Sequence, residues 1–291
     1  MHLTAVRPHR GVVRTPLRYP GGKTRLTGFL AKVIQEGGWA GCTYVEPYAG
    51  GAGAALSLLH DSVVGHIVIN DLDRCIASFW AAAVNDSEAF LERFDATQVT
   101  LETWHEQREI YRHPDSASTL ELGFATFFLN RTNRSGIMNA GVIGGQKQDG
   151  TYKIGARYNQ ADLRGKLAWL GQHSHAITVS NDDGLTLLRE YLPRTDVVAY
   201  VDPPYFDKGS YLYMNSFTES AHADLAELLK EQCKTRWVLT YDDVPEIREL
   251  YRGLYQGTFT LPYSAHTASN ARERMVLSDP VAELKGIMPG R

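Results

Sequence analysis

The sequence predicts an α/β fold, a parallel sheet built from βαβ units with a loop-rich subdomain inserted into it. Three observations carry this. The β-type run Cys42 to Val45 leads into the turn Glu46 to Gly53, then helical Ala54 to Leu59, then a second run, His66 to Ile69, closed by Asn70-Asp71. Strand, glycine turn, helix, strand and acid in that order make one βαβ unit, which requires parallel strands and a right-handed crossover. Second, Val197 to Val201 is continuously apolar, as expected of a strand covered on both faces. Third, Leu129 to Gln160 is rich in Gly and Asn and weakly periodic, which marks an irregular insert.

The remaining elements follow from periodicity. Thr24 to Gln35 reads as a helix with Leu26, Phe29, Leu30 and Val33 on one face, ended by Gly37-Gly38. Asp73 to Phe94 and Leu101 to Arg112 read as helices, and Ile177 to Val179 as a strand. Ser220 to Gln232 predicts a helix, Trp237 to Thr240 a strand, Val244 to Tyr251 a helix and Met275 to Leu277 a last strand. The expected division is a core from residues 1–84 and 169–291 and an inserted subdomain over 85–168.

Of the 291 residues 43% are apolar, which is ordinary for a globular chain. No apolar run approaches the ~20 residues that a membrane span needs. Met1 to Arg10 holds no apolar stretch of the secretory kind. Cys42, Cys75 and Cys233 are scattered, so neither a disulfide framework nor a zinc site is expected, and no metal at all. The net charge is -3, but its distribution is uneven. Met1 to Thr27 has six basic residues and no acid. Asn85 to Phe127 is net -6 and Phe128 to Ala168 net +5. A surface contacting nucleic-acid phosphates would use the first and third of these segments, although charge blocks also occur simply as solvated faces.

Asp202-Pro203-Pro204-Tyr205 follows the apolar strand directly and so lies at its carboxyl end, where open α/β sheets bind ligands. Two prolines remove two backbone donors and fix φ twice. The stiff turn presents a carboxylate, free carbonyls and an aromatic face. That set suits a planar aromatic amine. The carboxylate and a carbonyl each accept one N–H, which frees the nitrogen lone pair for attack. The Tyr ring stacks on the base, worth ~1–3 kcal/mol. A rigid strand-to-loop turn is the plainer alternative.

In Glu46 to Gly53, glycines at 50, 51 and 53 let a ligand approach the backbone. Asp71 ends the next strand, where an acid accepts both hydroxyls of a ribose. This much suits NAD as well as S-adenosylmethionine, and Leu56 breaks the full dinucleotide pattern. Gly21-Gly22-Lys23-Thr24 is not a triphosphate-binding loop, because Leu17 stands where that motif needs Gly. Asn181-Asp182-Asp183 ends a strand. One acid there would hold a cofactor's adenine amine, or cap the helix Leu185 to Tyr191.

In order, these pieces resemble the Dam-like alpha group (D12 class) of DNA N6-adenine methyltransferases. The resemblance rests on Arg18-Tyr19-Pro20-Gly21-Gly22-Lys23, Tyr44-Val45-Glu46-Pro47-Tyr48-Ala49-Gly50-Gly51 and Ile69-Asn70-Asp71-Leu72-Asp73. It continues through Phe128-Leu129-Asn130-Arg131-Thr132, Tyr200 to Tyr205 and Leu239 to Ile247. It implies a Rossmann-like S-adenosylmethionine-dependent methyltransferase core with an inserted target-recognition subdomain, and transfer to N6 of an adenine flipped out of double-stranded DNA. Asp202, Pro203, Pro204 and Tyr205 would be catalytic. Glu46, Pro47, Tyr48, Gly50 and Gly51 would line the methionine side of S-adenosylmethionine. Asp71 would take the ribose and Asp183, or Asp182, the adenine amine. Tyr19, Gly22 and Lys23 would lie near the cofactor, Lys23 also near the flipped base and the DNA. Arg131, Asn133 and Arg134 would contact bases or phosphates, since Arg suits guanine edges and Asn adenine edges.

The first half of the insert is acidic, so it is expected to be helical scaffold facing away from DNA. The resemblance further implies a cytoplasmic, monomeric protein of bacterial or phage type that meets the nucleoid through DNA, in the setting of restriction-modification. An RNA adenine-N6 methyltransferase is the nearest alternative. An NAD-dependent oxidoreductase has no use for Asp202 to Tyr205, and a silent DNA-binding relative has none for the acid at 202.

Overall fold

The computed structural model describes residues 15–18, 23–206, 217–262 and 270–284. The chain divides into two compact units. The first contains residues 1–13, 23–72 and 182–291, the second 14–22 and 73–181.

In the first unit a 3-10 turn, Lys23–Leu26, opens into α1, Thr27–Glu36. Leu26, Leu30, Val33 and Ile34 are buried, so the apolar face expected from the spacing is the packed one. Then come β1 (Thr43–Glu46), α2 (Gly53–His60) and β2 (His66–Asn70), the βαβ unit read from the sequence.

The second unit begins with α3, Arg74–Asn85, and α4, Ser87–Ala96. The sequence reading joined these into one helix. Residue 86 breaks it, with φ -126 and ψ 43. Next are α5 (Leu101–Arg112), α6 (Thr119–Thr132), α7 (Gln160–Gln172) and β3 (Ile177–Ser180). Helix α6 was not expected. It is buried on nearly every face from Leu122 to Leu129, so it has no amphipathic signature. A Ser118–Glu121 capping box starts it. Gly123 lets it approach α3 closely: a Cβ there would lie 2.5 Å from the Ser78 carbonyl oxygen. Phe79, Phe90, Phe94, Phe124 and Phe127 fill the core of this unit with ring centroids 4.7–6.3 Å from their neighbours.

The chain returns to the first unit with α8 (Gly184–Tyr191), β4 (Val197–Val201), α9 (Glu219–Glu231), β5 (Trp237–Asp242) and α10 (Pro245–Leu250). It closes with β6 (Tyr255–Pro262), β7 (Asn270–Leu277) and α11 (Asp279–Ala282). Strand β6 has no counterpart in the sequence reading, and β7 is longer than expected. Among the described residues six of seven strands belong to this unit, in the order β2-β1-β4-β5-β7-β6. Strands β2, β1, β4 and β5 run parallel, and β7 is antiparallel to both β5 and β6. Every residue of β4 is buried, as its apolar run requires. Val45, Val68, Leu187, Val197, Val201, Leu225, Leu229, Trp237, Leu239 and Ile247 form one core around these strands. Among the described residues no helix is long and apolar enough to cross a membrane.

Candidate active site

Strand β1 lies between β2 and β4, with Glu46 opposite Ile69 and Val45 opposite Ala199. Glu46, Asp71 and Asp202 therefore emerge at the carboxyl ends of three adjacent parallel strands. The chain leaves β1 for β2 on one side and reaches β4 on the other, so this is the switch point of the sheet, where ligands bind.

The glycine turn after β1 is fixed by β2. The Ala49 N–H donates to the Asn70 carbonyl at 2.8 Å, and the Gly50 N–H donates to Asp71 Oδ2 at 2.9 Å. Gly50 has φ 48, and Ala52, at φ 45, is left-handed although it carries a Cβ. Such a conformation costs a non-glycine residue ~1–3 kcal/mol and persists only where the surroundings over-determine it.

Asn70, which in the sequence only closed a strand, ties the site together. It is buried. Its Nδ2 donates to the carbonyls of Pro47 and Asp182, both at 2.9 Å. Its Oδ1 accepts the Asp182 N–H at 2.8 Å. Asp183 caps α8, its Oδ1 accepting from the N–H groups of Leu185 (3.0 Å) and Thr186 (3.1 Å). Gly184 lies against Tyr48, and a Cβ there would come within 2.6 Å of the ring. The Tyr48 hydroxyl is buried with no hydrogen-bond partner among the described residues. Burial first, then the Asp183 charge, hold its proton on well beyond the usual phenol range.

Glu46 is buried and turned towards its own element. Its Oε1 accepts from Tyr44 OH and from the Ala55 N–H of α2, each at 3.1 Å. Burial pushes its carboxyl up to about 8 although both donors favour the ionised form, and the charge of Asp202 adds to the rise.

At the end of β4, Asp202 is held from β5. Thr240 Oγ1 donates to Asp202 Oδ1 at 2.7 Å and is itself 2.7 Å from Tyr200 OH. Thr240 has one proton, spent on the carboxylate, so Tyr200 is the donor in the second bond. Pro203 is buried. Tyr205 OH donates to Glu273 Oε1 of β7 at 2.7 Å, and the Phe206 N–H donates to Asp242 Oδ1 at 3.1 Å. The Phe206 ring packs at 4.9 Å on His222, whose Nδ1 lies 2.6 Å from Tyr241 OH. Thus β5 and β7 fix the carboxylate, the aromatic ring and the turn's exit. Thr240 and Asp242 lie in the stretch Leu239 to Ile247 that carries the resemblance but had no role assigned to them, and Glu273 was not named.

A family model for D12 class N6 adenine-specific DNA methyltransferases matches residues 19–269. The chain belongs to this family. Its activity is DNA adenine-N6 methylation, and its α/β sheet is the Rossmann-like sheet of methyltransferases. Among solved structures, the rRNA methyltransferase aviRa from Streptomyces viridochromogenes is similar over 91% of this chain and 88% of that chain, with 14% identity and a TM-score of 0.38. A likeness of that degree bears on neither substrate nor reaction. No curated protein matches the chain.

The residues expected at the DNA fall into two groups. Asn133 is buried and committed. Its Oδ1 accepts from Trp104 Nε1 at 2.7 Å, and its Nδ2 donates to the carbonyls of Ile137 (3.1 Å) and Met138 (2.9 Å). Arg131 donates from Nε to the Arg157 carbonyl at 2.8 Å and from Nη1 to the Pro16 carbonyl at 3.4 Å. Burial and the neighbouring charge of Arg18 draw its pKa down to about 10. Both side chains thus help to build the loop that carries Arg134. Arg134 is exposed at the turn that Asn133 staples. Ile137 (41%) and Tyr152 (66%) are exposed apolar side chains that the sequence reading passed over. Tyr19 and Gly22 lie outside the described residues. Lys23 opens the first 3-10 turn, and its side chain also lies outside them.

Proposed function

We propose that the chain transfers a methyl group from S-adenosylmethionine to N6 of an adenine flipped out of duplex DNA. The observation that carries this is the Asp202-to-Tyr205 turn, with its carboxylate pinned by Thr240 and its ring anchored by Glu273.

The donor set fits the cofactor. The buried, unpartnered Tyr48 hydroxyl, the glycine turn held by Asp71, and the half-exposed Leu72 beside that acid are what a methionine chain, a ribose and an adenine plane require. Glu46, Pro47, Tyr48, Gly50 and Gly51 would hold the methionine side, Asp71 the ribose, Asp183 or Asp182 the adenine amine, and Tyr19, Gly22 and Lys23 the entrance. When bound, S-adenosylmethionine supplies a methyl group activated on a sulfonium.

The chain's own residues do the rest. Asp202 and the Pro203 carbonyl accept hydrogen bonds from the two N6 N–H groups, orienting the lone pair along the line of transfer; as the N–CH3 bond forms and the S–CH3 bond breaks, the nitrogen sheds one proton on the Asp202 side. Tyr205 stacks on the base, and its anchored hydroxyl keeps the ring from turning. Reaching the turn requires the base to leave the helix. The second unit would act as the target-recognition subdomain, with Arg134 reading a base edge or phosphate and Ile137 and Tyr152 meeting apolar base surfaces.

The test is incorporation of labelled methyl groups from S-adenosylmethionine into duplex DNA and, separately, structured RNA, with the wild type and Asp202→Ala. The reading expects label at adenine N6 of DNA alone, none with the variant, and variant cofactor affinity within a few-fold of wild type. Label in RNA alone, or undiminished turnover by the variant, would overturn it.

A further inference from the structure

We propose that Glu46 gives up a proton to solvent when S-adenosylmethionine binds, and in its ionised form supplies the counter-charge for the cationic methionine end of the cofactor. This rests on the proposed cofactor site and adds a proton linkage to it.

The two carboxyl oxygens of Glu46 are used unequally. Oε1 accepts from Tyr44 OH and from the Ala55 N–H, each at 3.1 Å. Ala55 stands in the first turn of α2, so this oxygen anchors the helix that follows the glycine turn. Oε2 has no hydrogen bond with any described residue. It is nevertheless absent from the sealed, unpartnered side-chain atoms of the described residues, so it borders open space at the carboxyl end of β1.

The groups around Glu46 offer it no cation. Tyr44 comes from its own strand, and the turn after that strand brings Tyr48 with its buried hydroxyl. Strand β4 brings Tyr200, which follows Ala199 in register, and Asp202, whose negative charge opposes ionisation. Beyond β2 stands Asp71, which accepts from the Gly50 N–H. The titratable side chain of α2, His60, is at the far end of the helix beside Asp61. Arg25 and Lys32 belong to the 3-10 turn and helix that pack on α2, and neither pairs with Glu46. Lys23, at the head of that turn, has its side chain outside the described residues.

A buried carboxyl without a counter-ion keeps its proton instead of ionising. Burial pushes that of Glu46 up to about 8, so at neutral pH the proton is on. With both donors on Oε1, the proton sits on Oε2, at the open side. S-adenosylmethionine carries a sulfonium and an α-ammonium against one carboxylate. A net cation in the space beside Oε2 favours the ionised form, the converse of what Asp202 does. The carboxylic acid becomes a carboxylate, its proton passes to the buffer, and no bond of the cofactor is made or broken. The empty site is thus spared a buried charge, and the filled one gains an ion pair. Affinity for the cofactor then rises with pH while the empty site is protonated, and levels off above about 8.

The experiment is titration calorimetry of the full chain with S-adenosylmethionine and with S-adenosylhomocysteine. It runs between about pH 5.5 and 7, where an α-amine of ordinary pKa, about 7.7–8.0, stays charged. Two buffers of different ionisation heat report the protons released. Wild type should release about one proton per bound S-adenosylmethionine, and its affinity should rise by up to about tenfold per pH unit. Glu46→Gln keeps an oxygen for Tyr44 and Ala55. It should release no proton and bind with an affinity that does not change with pH over this range. Release with S-adenosylhomocysteine as well assigns the ammonium as the partner of Glu46, and release with S-adenosylmethionine alone assigns the sulfonium, which the product lacks. Infrared difference spectra of wild type test the same step without a variant, since the band of a protonated carboxyl should disappear on binding. Binding by wild type with no proton released, or the same release from folded Glu46→Gln, overturns the linkage. A wild type that binds neither ligand overturns the cofactor site instead.

Discussion

Thr240 Oγ1 donates to Asp202 Oδ1 at 2.7 Å, and Tyr200 donates to Thr240 in turn. The carboxylate proposed to grip the target amine is therefore oriented from the neighbouring strand. A hydrogen bond to a charged group is worth about 1.5–3 kcal/mol. Thr240→Val should lower kcat for methylation about 10- to 100-fold, since about 1.4 kcal/mol is a factor of ten. Cofactor affinity should stay put, and Thr240→Ser should restore most of the rate. Initial rates at saturating DNA measure this. An unchanged kcat in the Val variant would remove Thr240 from the mechanism.

Glu46 makes stability fall with rising pH. Its folded-state pKa, about 8, lies above its ordinary 4.5, so the native chain keeps a proton that the unfolded chain releases. Its contribution is fully present below about pH 4.5 and is lost as pH rises through about 8. Glu46→Gln retains an oxygen for Tyr44 and Ala55 but cannot ionise. Urea denaturation at several pH values should show a shallower decline for this variant between those limits, and parallel declines would refute the assignment.

His222 acts in the opposite sense. Burial pulls its pKa from 6.5 to about 4, because a charged imidazole is poorly accommodated beside Phe206, Phe217 and Tyr241. The stability it contributes is present above about pH 6.5 and lost as pH falls towards 4. His222→Phe, measured by thermal unfolding, should flatten that acid limb. If the variant loses stability as steeply as wild type across that range, His222 is not the titrating group.

Gly184 leaves no room for a methyl group against Tyr48, whose ring would be 2.6 Å away. Gly184→Ala should displace that ring or the start of α8. Overpacking of this kind costs about 1–3 kcal/mol. Calorimetry should find weaker S-adenosylmethionine binding, and an affinity equal to wild type would separate Tyr48 from the cofactor.

The parts legible in the sequence were those with a local signature. The βαβ unit showed because β1, the glycine turn and β2 are consecutive, and β4 showed because both its faces are covered. Helix α6 was hidden because burial on nearly all sides erases the 3.6-residue period. Asn133 read as a DNA contact because its residue type suits adenine. Its partners within the chain, Trp104 and the carbonyls of residues 137 and 138, were not legible, and one is 29 positions away. For the same reason Thr240, Glu273 and Asn70 had no role legible in the sequence: each gains it from a strand or loop distant along the chain.

Asn70 also sets a timetable. Its amide clasps the backbone of Asp182, 112 residues further along, and the same nitrogen steadies Pro47. Closing so long a stretch is entropically slow, and nothing rewards it until the distant partner arrives. During synthesis, β1, α2 and β2 are complete while the pocket they border still lacks its far wall. The proposed cofactor site therefore stays half-built while the 112 residues from Asn70 to Asp182 are made.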